Sequence, residues 1–295
     1  MKIAAAAYPL SELRDWDDYR RKQIEWVTEA ATQGAELLVF PEYGRMELAT
    51  LDGSDVASDL EASLTAVSRH SAAADDLMAS LAQIHCVHIL AGSGPVVDED
   101  ARPVNRAVLF GPNGPLGVQD KQVMTRFERE TWDVVPGGPL QVFDTALGGI
   151  GVLICYDAEF PLLGRALVEQ GAEILLVPSC TDSLAGYSRV RVGAMARALE
   201  NQCIVVHSPT VQPAPWSPAV DENIGAAAIY GPPDLGFPPT GILAEGALDV
   251  PGWTYADIDR AAIARVRREG HVLNHAHWPE SAARADQIQK HTDLP

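Results

Sequence analysis

The sequence predicts an α/β protein of layered architecture with mixed sheets, and two observations carry that prediction. Continuous apolar runs such as "LLVF", "VHILAG" and "EILLVPS" read as strands covered on both faces, and amphipathic helical patterns separate them. In two places the alternation breaks: "RPVNRAVLFGPNGPLGVQDK" and "LQVFDTALGGIGVLICYD" each read strand, glycine-containing turn, strand. Such spacing makes hairpins rather than crossovers, so antiparallel neighbours enter the sheet, unlike a doubly wound dinucleotide fold.

The elements follow in order. "MKIAAAAYPL" reads as a first strand, without the long apolar core and cleavage pattern of a secretory leader. Trp16, Tyr19, Gln23/Ile24, Val27 and Ala30/Ala31 then recur at helical spacing, and Gly34 stops this helix just past its last turn. A strand over residues 36–40 comes next, and a helix is expected over residues 60–84 with a break near Ser71. Beyond the two hairpins, helices over residues 161–170 and 186–201 flank the strand "EILLVPS", and Gly171 ends the first of them. The Pro/Gly-rich stretch 209–246 encloses "NIGAAAIYGPP", whose apolar centre reads as a strand, so the stretch forms long loops of one domain spanning residues 1–268. After "GWTYADID" and a short helix through Arg268, the polar tail 269–295 is expected to pack on a neighbouring subunit or to fray.

Composition narrows the function. With 295 residues, 47% of them hydrophobic, the chain can bury one large core or two modest ones. Its 22 basic and 40 acidic residues give a formal charge of −18, a field that repels phosphate backbones and anionic lipid and so excludes nucleic-acid and membrane partners. No apolar run approaches the roughly 18 residues of a membrane span. Cys86, Cys155, Cys180 and Cys203 are scattered and form no CxxC pair, which fits reduced thiols in a cytoplasmic protein. His271, His275 and His277 have a metal-compatible spacing but lie in the polar tail away from cysteine ligands, so no metal is expected. The turns "GPNG" and "LGGIG" do not open a helix as a phosphate cradle would, and no cofactor is expected.

Three residues stand just past apolar strand patterns: Glu42 in "LLVFPEYG", Lys121 in "GVQDKQVM" and Cys155 in "GVLICYD". Strand ends are where a rigid scaffold presents reactive groups. Taken singly each has a plainer reading: a small buried hydrophobe for Cys155, a helix cap for Glu42, a solvated charge for Lys121. Brought together, a carboxylate accepts the thiol proton, and an ammonium stabilises both a thiolate and a developing oxyanion. Asp157 and Glu159, just beyond the cysteine, have the position of caps for the next helix near Pro161. Cys180, at the end of "EILLVPS", stands where it could line the same pocket, with a structural thiol as the plainer reading.

The segments "FPEYGRME", "DKQVMTRFERETW" and "ICYDAEFP", in that order, resemble the nitrilase superfamily of carbon–nitrogen hydrolases, and the likeness runs to about Tyr255 through "GAEILLVPS", "ALENQCIVV" and "GAAAIYGP". The resemblance implies a four-layer αββα sandwich, usually paired as a homodimer. It also implies a triad of Glu42 as general base and acid, Lys121 as oxyanion stabiliser and Cys155 as nucleophile. A second glutamate of the family falls on Glu128, with Glu130 the near alternative, and the Tyr156 amide would complete an oxyanion hole. Family amidases often follow Cys-Tyr-Asp with Arg-Phe, whereas this chain has Ala158, Glu159 and Phe160. Glu159 in the pocket would disfavour carboxylate substrates, while a structural ion pair, with Arg165 for example, is the competing reading. True nitrilases usually follow the cysteine with Trp-Glu; Tyr156 and Asp157 therefore favour cleavage of a small-molecule amide or carbamoyl amide. A nitrile hydrolase, an acyltransferase passing the acyl group to an amine, and a silent ligand-binding scaffold are the alternatives.

Overall fold

The described residues, 1–97 and 101–292 of this computed structural model, form thirteen strands that curl into two facing sheets. The first holds β1 (Lys2–Pro9), β2 (Leu37–Val39), β3 (His88–Leu90), β4 (Gly94–Val96), β5 (Val104–Gly111) and β6 (Gly114–Asp120). The second holds β7 (Val142–Thr145), β8 (Gly148–Val152), β9 (Ala172–Ser179), β10 (Ile204–Val211), β11 (Ala228–Tyr230) and β12 (Ile242–Glu245). A last strand, β13 (Gly252–Asp257), returns antiparallel to β1. The sheets join where β1 and β10 meet by their ends, Tyr8 beside Thr210 and Pro9 beside Val211. Both sheets are mixed: β1–β2–β3 and β8–β9–β10 run parallel, and β5–β6 and β7–β8 are antiparallel hairpins.

Alternation along β1 accounts for the layering. Ile3, Ala5 and Ala7 share a buried cluster with Ile150, Val152 and Leu175 of the other sheet, whereas Ala4, Ala6 and Tyr8 join Val27, Leu64 and Met78 on the opposite face. The helices α1 (Trp16–Thr32), α2 (Ser54–Ala57) and α3 (Leu60–His85) supply that outer cluster, and α4 (Pro161–Glu169) and α5 (Leu184–Asn201) cover the second sheet. Strands buried on both faces are mostly apolar, which is why they read as near-continuous runs. Each fully buried Val, Leu or Ile contributes about 1.5–3 kcal/mol. The result is the four-layer αββα arrangement.

Local chemistry sets the helix ends. Asp15, Asp59 and Ser183 accept backbone N–H bonds in the first turns of α1, α3 and α5. Gly34, at φ 81°, leads the chain out of α1. One expectation fails: α3 runs unbroken through Ser71, whose hydroxyl donates to the Val67 carbonyl at 2.9 Å and so costs the helix nothing unsatisfied. The first part of the tail after residue 268 contacts the same chain, and residues 279–292 are exposed. Beyond α6 (Arg260–Glu269), α7 (Asn274–Ala285) sets Trp278 under the Arg165 guanidinium, 5.0 Å from ring centre, and the His275 N–H bonds the Gln202 side chain at 3.2 Å. Residues 293–295 of that tail lie outside the described residues. No helix among the described residues is long and apolar enough to cross a membrane.

Candidate active site

Four strand ends converge at one edge of the sandwich. Glu42 follows β2, Lys121 follows β6 directly, Cys155 follows β8, and Cys180 follows β9 directly. Lys121 Nζ donates to Glu42 Oε1 at 2.8 Å and to both Glu128 oxygens, at 2.8 and 2.7 Å. Glu42 Oε1 also accepts from Asn105 Nδ2 at 3.0 Å, and Glu42 Oε2 from the Cys180 N–H at 2.9 Å. The Cys155 thiol points at the Cys180 carbonyl, 3.9 Å away, and Glu42 stands near enough to act on its titration. Glu42, Lys121 and Glu128 are each at most 2% exposed, so their charges act in a medium that screens them weakly.

Backbone conformation aims the nucleophile. Cys155 has φ 51°, the left-handed region that a residue with a Cβ occupies at a cost of about 1–3 kcal/mol. It opens a 3-10 turn, Cys155–Glu159, so the Tyr156 N–H lies in a first turn and has no acceptor within the helix. Tyr43 is held similarly at φ 54°, and its hydroxyl donates to Glu128 Oε1 at 2.7 Å. The Thr125 N–H and hydroxyl both reach Glu128 Oε2 at 2.8 Å.

The titration of these groups follows from burial first and from partners second. Burial raises Glu42 to about 7 despite Lys121 beside it, and the Glu128 charge adds to the rise. Burial also acts on Glu128, but Lys121, Tyr43 and Thr125 outweigh it and hold that carboxyl below its usual range. Burial pulls Lys121 down, but Glu128 and Glu42 outweigh it and hold the ammonium well above its usual value. The Cys155 thiol is pushed well up by burial and by Glu42, so it rests protonated with its base already in place.

A cavity of about 380 Å³ opens on this cluster. Of the residues singled out in the sequence, Glu42, Lys121, Glu128 and Cys155 meet at its floor, and Tyr156, Glu159 and Cys180 line its wall. Glu130 does not join them: its side chain is 58% exposed and pairs with Arg126 one turn away. Glu159 pairs with Arg189 at 3.5 Å, whereas Arg165 bonds Glu169 on its own helix. Burial raises Cys180 to about 12, and its thiol meets Asn223 Oδ1 at 3.3 Å. His271 bonds Asp234 at 2.7 Å, and among the described residues no group of three His, Cys, Asp or Glu is placed to hold a metal ion. Asn105 is not among the residues singled out in sequence, and Tyr43 is expected there only as part of a pocket-wall loop, residues 43–47, without its bond to Glu128. Asn105 had left a signal, a fully buried amide inside the apolar pattern of β5, which demands a polar partner.

Comparison with known proteins shows the family. The family model described as carbon–nitrogen hydrolase matches residues 2–268. The probable hydrolase YhcX of Bacillus subtilis is 32% identical over 275 residues, 92% of this chain and 52% of its own length, so the chain spans about half of that relative. The deaminated glutathione amidase of a Synechocystis strain (PCC 6803 / GT-S) is 29% identical over 292 residues, 92% of this chain and 97% of the relative. Among solved structures, Saccharomyces cerevisiae Nit3, a member of branch 10 of the nitrilase superfamily, superposes with a TM-score of 0.71 at 22% identity, covering 91% of this chain and 93% of that one.

Proposed function

The chain belongs to the carbon–nitrogen hydrolase family, within the nitrilase superfamily, and from that membership we propose that it cleaves a small-molecule amide or carbamoyl amide through a thioester on Cys155. The observation that carries the reading is the buried contact set in which Lys121 bonds Glu42 and Glu128 in the cavity that Cys155 also lines.

The steps follow from that contact. Cys155 Sγ attacks the amide carbonyl carbon as its proton passes to Glu42. The carbonyl oxygen, now an oxyanion, takes hydrogen bonds from Lys121 Nζ and the Tyr156 N–H. Collapse breaks the C–N bond, and protonated Glu42 gives its proton to the leaving nitrogen, which departs as ammonia or amine. Water then attacks the thioester as Glu42 takes its proton, collapse of the second tetrahedral species breaks the C–S bond and frees the carboxylic acid, and Glu42 returns the proton to the Cys155 sulfur. Glu128, clamped by Tyr43 and Thr125, fixes Lys121 between the two carboxylates. The resting thiol with a base poised near neutral pH favours proton transfer during attack over a preformed thiolate.

Ammonia release over a panel of amides, carbamoyl compounds and nitriles tests the reading, with Cys155→Ala as control. The expected result is turnover of at least one amide, lost in the variant. Turnover retained by Cys155→Ala, or confined to nitriles, would contradict it.

A further inference from the structure

Asp157 stands two residues past the nucleophile and is fully buried, yet it does not cap α4, whose first turn begins at Phe160 without a side-chain cap. Its carboxylate is spent on backbone N–H groups of two separate segments. Oδ1 accepts from Val123 at 2.8 Å, both oxygens share the Gln122 N–H at 3.2 Å, and Oδ2 accepts from Ile154 at 3.2 Å. Gln122 and Val123 follow Lys121; Ile154 precedes Cys155. The Asp157 N–H returns to the Ile154 carbonyl at 3.1 Å, so the same residue brackets the left-handed turn at Cys155.

A carboxylate buried without a full cationic partner is costly unless several donors satisfy it. Here burial raises Asp157 to about 6, against the pull of Lys121 and the three N–H groups, so it is charged at neutral pH. Those three donors come from the two segments that carry the thiol and the ammonium, which fixes one against the other.

We infer that Asp157 is a positioning residue that sets the spacing between Cys155 and Lys121, and that it acts on turnover rather than on substrate binding. This inference rests on the Cys155 thioester reading above. A second support lies behind the turn: Arg197 of α5 donates to the Ala158 carbonyl at 2.9 Å, so the turn is held on its far side as well. Reaction geometry is sensitive to displacements of about 1 Å, which cost on the order of 100-fold in rate.

The test is Asp157→Asn, which keeps the volume but turns an amide NH2 toward backbone donors. The variant is expected to melt cooperatively, to keep KM for the fastest amide of the panel within about twofold, and to lose at least about tenfold in kcat. Alkylation of Cys155 by iodoacetamide, followed by peptide mass, is expected to slow in parallel. Wild-type kcat and wild-type alkylation in Asp157→Asn would overturn the inference while leaving the thioester reading intact if Cys155→Ala is dead. Ammonia release by Cys155→Ala would overturn the reading and the inference together. If Asp157→Asn does not fold, Asp157→Glu carries the same comparison. Failure of both to fold, beside a normally folded Cys155→Ala, would make Asp157 a folding determinant and overturn the positioning role.

Discussion

A buried glutamate raised to about 7 works as a base near neutral pH and is costly to keep there. The sign of that cost is definite. Because its folded pKa lies above the ordinary 4.5, Glu42 contributes stability that is fully present below pH 4.5 and lost as pH rises through 7. Glu42→Gln is therefore expected to melt higher than the wild type above pH 7, with the gap closing toward pH 4.5, while turnover falls at least about 10³-fold. Melting temperatures across that range check it, and an unchanged or lower melting point at pH 8 would count against the assignment. For the wild type, kcat/KM is expected to fall about tenfold per pH unit below about 7, since protonated Glu42 cannot accept the thiol proton. At this scale Glu42, Lys121 and Cys155 could be singled out in sequence because each lies just past a strand pattern, and their grouping came from the resemblance of three motifs in order to a known family. The roles of Asp157 and Tyr43 were not legible there, because they depend on which backbone or carboxylate each reaches across the fold.

Helix α5 acts as the backstop of the nucleophile turn. A Cβ at Gly193 would sit 2.8 Å from the Ala158 carbonyl oxygen, so the helix approaches the turn only because that residue has no side chain. Gly193→Ala is expected to push the two apart, costing about 1–3 kcal/mol of stability and lowering kcat by about tenfold. A thermal melt with steady-state rates checks both, and wild-type kcat would show that the turn holds its shape without the helix. The hairpins β5–β6 and β7–β8 were legible as strand, turn, strand because their loops are short and glycine-bearing. The break expected near Ser71 does not form, because the hydroxyl bonds back within α3. Which sheet face each strand turns inward was beyond reading, since strands buried on both sides show no alternation.

The whole molecule carries −18, and the cavity mouth shares that sign, with Glu159, Asp182, Asp221 and Glu222 against Arg126 and Arg189. Field and rim together are expected to favour neutral and cationic amides over carboxylate-bearing ones by about tenfold in kcat/KM at low salt, narrowing as salt rises. Equal rates for matched amides of the three charge types would deny the rim a part in selection. The four-layer architecture follows from the doubly buried strands, and its use here is to hold four strand ends rigidly around one thiol. The most direct test of the central claim is intact-mass measurement on enzyme quenched during turnover of an amide from the panel. The expected result is a species heavier by the acyl group, mapped to Cys155 and absent from Cys155→Ala. Rapid amide turnover whose burst phase yields ammonia with no adduct on Cys155 would contradict it.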